Sequence, residues 1–581
     1  MSRRHHSTSN RPVGSQPSER WLRAAALLEL LAIVFILTTY AALKCYALHA
    51  HYDDENVYFY MSRQVTTRAL LPYRDFFFAH PPLHLVPLVL LSWLNSECLL
   101  PMRLEPIIAT LISGVLLYGM ARRAWGRLAG VITLAAFLLG TTVLNSSSNP
   151  TGVNLATTFL VASLSFAMGA YAPGAGICAA LAALTGGYAI FIAVGLAIVV
   201  AVTQRPDRTW RPFWYYMLSF LVTWIGINLL MLVIFGLEYL NSVYLFQLRL
   251  PAEAFGNRAA IIASKVLWEN FALVWSFPLA SMLFGFSLWP RRSTLGAGIP
   301  GGARAQSNAL WLAATLLTLS YVPLLLREHN LVESHFTPIF PWLSLLAGYS
   351  ISELAALVCR AEMRPWWARL TTAVIAVVII ALGRPVGNWI ASPTRRQAQI
   401  ELGGPVQATW VASPILPRWA NATIRAVWWS DTFDPQRNYL GPTYHLWNEA
   451  TNYDQAVRQI AGHVAKITGP KQTIYGDMEI VPLIALLAHR RVAAEMADSS
   501  GQRVLAKTIT VDEIWQRITA DHVAVIILRP GADMDRFPRF HQLMEKDFVP
   551  DQRVVLPGDR KLQLYRRRSS VPMLAYRMPA V

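Results

Sequence analysis

Three consecutive acids, Asp53, Asp54 and Glu55, stand in the stretch HYDDENVYFYMSRQVTTRALLPYRDFFFAHPPLHL, residues 51–85. Acids in a solvated turn or at a helix N-terminus, where they favour the dipole, need no chemistry to explain them. These three keep aromatic company, with Tyr52, Tyr58, Phe76, Phe77 and Phe78 in the same stretch. A carboxylate enclosed by aromatic rings is partly desolvated, and desolvation raises its basicity. Such a group is suited to take a proton from an attacking hydroxyl.

The elements that must position these acids are apolar. Of 581 residues, 54% are hydrophobic and 15% charged, against about 25% charged in soluble domains. Several runs exceed the ~18 apolar residues that mark a transmembrane helix. Residues 1–21 are polar, basic and expected to be disordered. The run over 22–48 is too long for a signal-peptide core and reads as an uncleaved first span. PPLHLVPLVLLSWL is too short to cross and suits a helix lying in the interface, so residues 49–102 form one outer loop. As members of a surface loop, the three acids are expected to contribute little to stability.

Further apolar runs cover 104–120, 128–144, 155–171, 177–202, 213–235, 271–288, 310–326, 336–357 and 370–382. Thr185, Gly186 and Gly187 sit mid-way in 177–202. Two short helices broken there return the chain to the side it left, giving about 11 spans of membrane length or slightly less. With the N-terminus inside, Arg122, Arg123, Arg127, Arg205, Arg291, Arg304 and Arg360 all fall on the cytoplasmic side, as the positive-inside rule requires. The formal charge of +17 therefore reads as orientation. Nucleic acid is excluded as a partner, because no recognition motif accompanies the charge. The four cysteines have no metal or redox spacing.

Residues 22–384 thus form the membrane part, and residues 385–581 a soluble α/β domain on the outer side. QTIYGD and VAVIILRP read as buried strands. NYDQAVRQIAGHVAKI, VPLIALLA and VDEIWQRIT read as amphipathic helices. Asp477 and Arg490 could touch an acceptor there, though strand-end packing explains them as well.

The stretch DDENVYFYMSRQVTTRALLPYRDFFFAHPPL resembles the first outer loop of the GT-C superfamily of membrane glycosyltransferases. The likeness is to the branch holding protein O-mannosyltransferases and aminoarabinose transferases. It rests on an Asp-Glu pair after the first span, a PYRD turn and a Pro-Pro that ends the loop. The resemblance implies a multi-pass α-helical membrane protein, here in a bacterial inner membrane. It implies an inverting enzyme that takes a sugar from a polyprenyl-phosphate donor on the outer face and passes it to a lipid, glycan or protein acceptor.

Asp54 matches the catalytic position and would be the general base. Glu55 would orient the acceptor or assist a divalent cation where one is used, and Asp53 is the alternate. A lipid-phosphate leaving group also needs cationic or hydrogen-bonding partners. His80, Arg74, Arg327, His335 and Asn149 are the candidates for donor phosphate or substrate. Two departures stand out. Asn149 precedes Pro150 where many relatives carry an acid, and no Lys follows Thr185 in LTGGYA. A transporter or flippase with a broken helix, and a glycan-binding assembly protein without chemistry, are the competing readings.

Overall fold

A computed structural model describes residues 19–47, 53–94, 100–147, 149–204, 209–250, 262, 270–288, 301–327, 333–359, 455–498, 501–531, 533–556 and 560–568. The expected span at 370–382 and the domain boundary at 384 lie outside the described residues.

The membrane part is a helical body. Helix α1 (Glu19–Ala47) leads to α2 (Asp53–Arg68) and the short α3 (Pro82–Ser92). Then follow α4 (Leu100–Trp125), α5 (Arg127–Leu138), α6 (Thr141–Ser146), α7 (Val153–Met168), α8 (Ala172–Ala183), α9 (Ala189–Thr203) and α10 (Arg211–Phe235). Helix α11 is Phe271–Leu288, α12 is Gly301–Arg327, a 3₁₀ turn runs Glu333–Ile339, and α13 is Phe340–Cys359. Five stretches are long and apolar enough to cross a membrane: Arg23–Ala41, Pro101–Trp125, Arg211–Phe235, Ala305–Leu325 and His335–Ala356. Shorter apolar helices pack among them.

The loop between α1 and α4 is itself largely helical. Its acids open a helix, with Asp53 the first residue of α2, where carboxylates favour the exposed N–H groups and the dipole. The run at 177–202 is two helices. Helix α8 ends at Ala183 and α9 begins at Ala189, and the amide N–H of Ala189 donates to Gly186 O at 2.9 Å across the turn. The run at 128–144 is likewise divided, because Gly140 separates α5 from α6.

The C-terminal domain holds a five-stranded sheet of order β2-β1-β3-β5-β4. Strands β1 (Thr473–Gly476) and β3 (Val525–Leu528) are buried throughout and pair in parallel, so both read as unbroken apolar runs. Gly476, at φ +147, could not be another residue: a Cβ there would stand 1.8 Å from the carbonyl oxygen of Ile527. Strand β2 (Arg491–Val492) lies beside β1, and the antiparallel β4 (Phe548–Leu556) and β5 (Arg560–Arg567) extend the far side. Helices at 455–467, Val481–Leu487 and Val511–Ala520 cover the sheet. The last is opened by a capping box between Thr510 and Glu513, worth about 1 kcal/mol.

One apolar cluster belongs to both parts of the molecule. Val57, Tyr58, Phe59, Tyr60 and Met61 of α2 share it with Val457, Ile460, Ile474, Ile484 and Val525 of the C-terminal domain. Helix α2 is therefore a layer of that domain's core as well as a neighbour of the membrane helices.

Candidate functional site

Helix α2 is fixed on two sides. Toward the membrane part, Glu55 is gripped by Arg103 of α4. Arg103 Nε donates to Glu55 Oε2 at 3.0 Å, and its Nη2 donates to Oε1. The two side chains keep only 1% and 0% of their surface, so a planar guanidinium meets a carboxylate out of water. Toward the C-terminal domain, Asn56 Nδ2 donates to the carbonyl oxygen of Glu479 at 2.6 Å. Tyr60 Oη donates to Glu495 Oε2 at 2.9 Å and accepts the amide N–H of Val492 at 3.0 Å. Arg68, at the end of α2, also pairs with Glu495. Asp54 is the second residue of the helix held this way. Its side chain and that of Asp53 lie outside the described residues.

Beyond α2 the chain turns at PYRD. Asp75 Oδ2 accepts the amide N–H of Leu71 at 2.8 Å, and the Asp75 amide donates back to Leu71 O at 2.9 Å. Arg74 is exposed and pairs with Asp75 at 2.9 Å, which places it on the outside of this turn. The turn delivers His80. Tyr58 Oη and His80 Nε2 share a hydrogen bond at 2.9 Å, and Tyr73 Oη donates to the His80 carbonyl at 2.7 Å. The rings of His80 and His84 stack with centroids 4.4 Å apart. Burial, with the charge of nearby His335 adding to it, pulls the His80 imidazole down to about 4 from its ordinary 6.5. The ring is thus neutral at pH 7 until an anion arrives.

The start of α3 is pinned at the broken helix pair, where the amide of Leu83 donates to Leu184 O at 3.0 Å. His335, in the 3₁₀ turn before α13, lies on the same side, with Tyr188 of the break 6.5 Å away between ring centroids. Asn149 stands in the turn before α7. The cap of that helix is Gly152, in the left-handed region at φ +73, so Asn149 is not the cap. Arg327 ends α12 rather than standing in a loop, and its side chain lies outside the described residues.

The fold therefore sets His80 beside α2, the helix break beside the start of α3, and Gly152, after the turn of Asn149, against His84. Arg74 is exposed and bound to Asp75. In the C-terminal domain, Arg490 donates to Thr468 Oγ1 at 2.8 Å and to the carbonyls of Ala465 and Thr468, and Asp477 pairs with Arg529 at 3.2 Å. Both hold strand ends. Among the described residues, no three His, Cys, Asp or Glu side chains converge as metal ligands would. Sequence reasoning passed over Arg103, His84 and Glu495. Arg103 left one signal, as a lone cation at the start of an apolar run in PMRLEP. Such a charge calls for a buried partner.

No family model matches the chain, and no curated protein matches it. Solved structures do. ArnT from Cupriavidus metallidurans bound to undecaprenyl phosphate aligns at 15% identity and a TM-score of 0.54, covering 96% of this chain and 100% of its own. The same protein in the apo state aligns at 15% identity and a TM-score of 0.56, covering 93% and 98%. The alignment takes in the membrane helices and the sheet-containing C-terminal domain together, and the chain has the fold of these ArnT structures.

Proposed function

We propose that the protein is an inverting glycosyltransferase that moves a sugar from a polyprenyl-phosphate carrier to a cell-envelope acceptor at the outer face of the membrane. In this reading, Asp54 removes the acceptor's hydroxyl proton as the oxygen attacks the anomeric carbon. The bond from that carbon to the phosphate oxygen breaks, and the carrier phosphate leaves with the electron pair. Glu55 serves through Arg103: the pair anchors the first turn of α2 and so aims its neighbour. The observation that carries the proposal is the stacked pair of His80 and His84, held by Tyr58 against the helix that bears the acids. A neutral His80 imidazole in a dry site can donate a hydrogen bond to a phosphate oxygen, or take up a proton when the anion binds. His335 and Arg327 remain the cationic candidates on the α12–α13 side, and Asn149 a hydrogen-bonding one. Solved neighbours with this fold include one bound to undecaprenyl phosphate, which supports a lipid-phosphate donor here.

The donor class is tested with the purified protein in lipid nanodiscs. Labelled polyprenyl-phosphate sugars should be consumed in the presence of a cell-envelope lipid extract, and nucleotide sugars should not replace them. Turnover with a nucleotide sugar in lipid-free enzyme would sink the carrier reading.

A further inference from the structure

Most buried polar atoms in a folded protein have a hydrogen-bond partner, so a group of them without one calls for an explanation. Four side chains near the start of α7 carry such atoms: Glu105 at both carboxylate oxygens, Asn149 at Oδ1, Thr151 at Oγ1 and His84 at Nε2. Glu105 is the most costly. It is 9% exposed in an apolar helix, where an ionisable side chain is expensive and usually functional.

Helix packing sets the four at one level of the molecule. Thr158 Oγ1 donates to the Ala109 carbonyl at 2.7 Å, and Thr110 Oγ1 donates to Asn154 Oδ1 at 3.2 Å, so this face of α4 lies against α7. Glu105 is one helical turn before Ala109 on the same face, at the level where α7 begins. The turn of Asn149 and Thr151 precedes that beginning. His84 reaches it from α3: a Cβ on Gly152 would stand 2.6 Å from His84 Nδ1, so the imidazole rests directly on the backbone of Gly152.

We propose that Glu105, Asn149, Thr151 and His84 form a subsite for the hydroxyl groups of the donor sugar. The chemistry matches: acceptor oxygens on Glu105 and Asn149 suit the O–H donors of a sugar ring, and Thr151 and His84 can give or receive. The position matches too. His84 stacks on His80, the candidate for the carrier phosphate, and the sugar is the group bonded to that phosphate. The inference rests on the carrier-lipid reading above.

The test is equilibrium binding to the full-length protein in nanodiscs. The probes are bare undecaprenyl phosphate and the same carrier bearing mannose, galactose or arabinose. Wild type should bind at least one glycosylated carrier about tenfold or more tightly than the bare one, the discrimination a site of buried polar groups gives. Glu105→Leu should abolish that preference, leave the bare carrier's affinity unchanged, and melt no lower than wild type. Glu105→Gln should restore part of the preference. Equal binding of all carriers by wild type overturns the subsite alone, and binding of none overturns the carrier reading with it. A Glu105→Leu protein that melts lower and loses both carriers equally assigns Glu105 a structural role and overturns the proposal.

Discussion

At the scale of single residues, the roles proposed for Asp54 and Glu55 are separable by experiment. Asp54→Asn keeps shape and removes basicity, so turnover in reconstituted membranes should fall by about two to four orders of magnitude, as for loss of a general base. Melting should stay near wild type. Glu55→Gln should behave in the opposite way. It leaves the Arg103 guanidinium buried opposite a neutral amide, and breaking a buried pair costs about 3–5 kcal/mol. A lowered melting temperature should therefore accompany its loss of activity, and Arg103→Met should share the destabilisation. If Glu55→Gln melts like wild type, the pair does not anchor α2. His80 gives a pH signature. Its depressed value of about 4 means that the free ring is neutral at pH 7, and a bound phosphodiester favours protonation. Binding then takes up a proton, so donor affinity should rise as pH falls from 8 toward 6. The slope should flatten in His80→Gln. The sign for stability is the reverse: a depressed histidine supports the fold above its ordinary 6.5, and that support is lost as pH falls toward 4.

At the scale of elements, α2 is the piece on which the two halves agree. One end is tied to α4 through Glu55, and its middle and far end are tied to the sheet domain through Asn56, Tyr60 and Arg68. A helix of this length is marginal in water on its own, so tertiary contacts decide its position. Tyr60→Phe removes a hydroxyl that serves both Glu495 and the Val492 amide. Leaving that buried amide unpaired should cost about 1–3 kcal/mol. Amide exchange should quicken around residues 491–495 and in α2, and turnover should fall although no reacting atom is touched. Unchanged exchange in α2 would separate the sheet domain from the site.

At the scale of the whole molecule, the distribution of arginine between spans predicts an N-terminus inside and a sheet domain outside. A reporter active only in the cytoplasm, fused after Val581, should be silent, and the same reporter inserted between residues 291 and 300 should be active. The shared core of α2 and the sheet domain requires residues 53–68 and 455–568 to lie on one side of the membrane. Activity of the terminal fusion would therefore refute the orientation for both at once.

Much was legible before folding was considered. The apolar runs, the break at Thr185 to Gly187, the strands at Thr473–Gly476 and Val525–Leu528 and the acids of α2 are all short-range features. Hydropathy, glycine freedom and the length of an apolar run are properties of neighbours in sequence. The hairpin of β4 and β5 was not legible. Its residues, as in RKLQLYRR, set charged pairs at both ends of a short mixed stretch, and pairing of β5 with β3 and of β4 with β5 makes them strands. The partners of the acids were not legible either. Arg103 stands 48 positions from Glu55 and Glu479 stands 423 from Asn56. Nothing in local pattern couples such distances. The sequence determined that this chain crosses a membrane and carries a carboxylate cluster beyond its first span. Tertiary structure alone decided which carboxylate is neutralised by a buried arginine and which polar atoms meet beside His84, because both depend on helices and a sheet packing out of water.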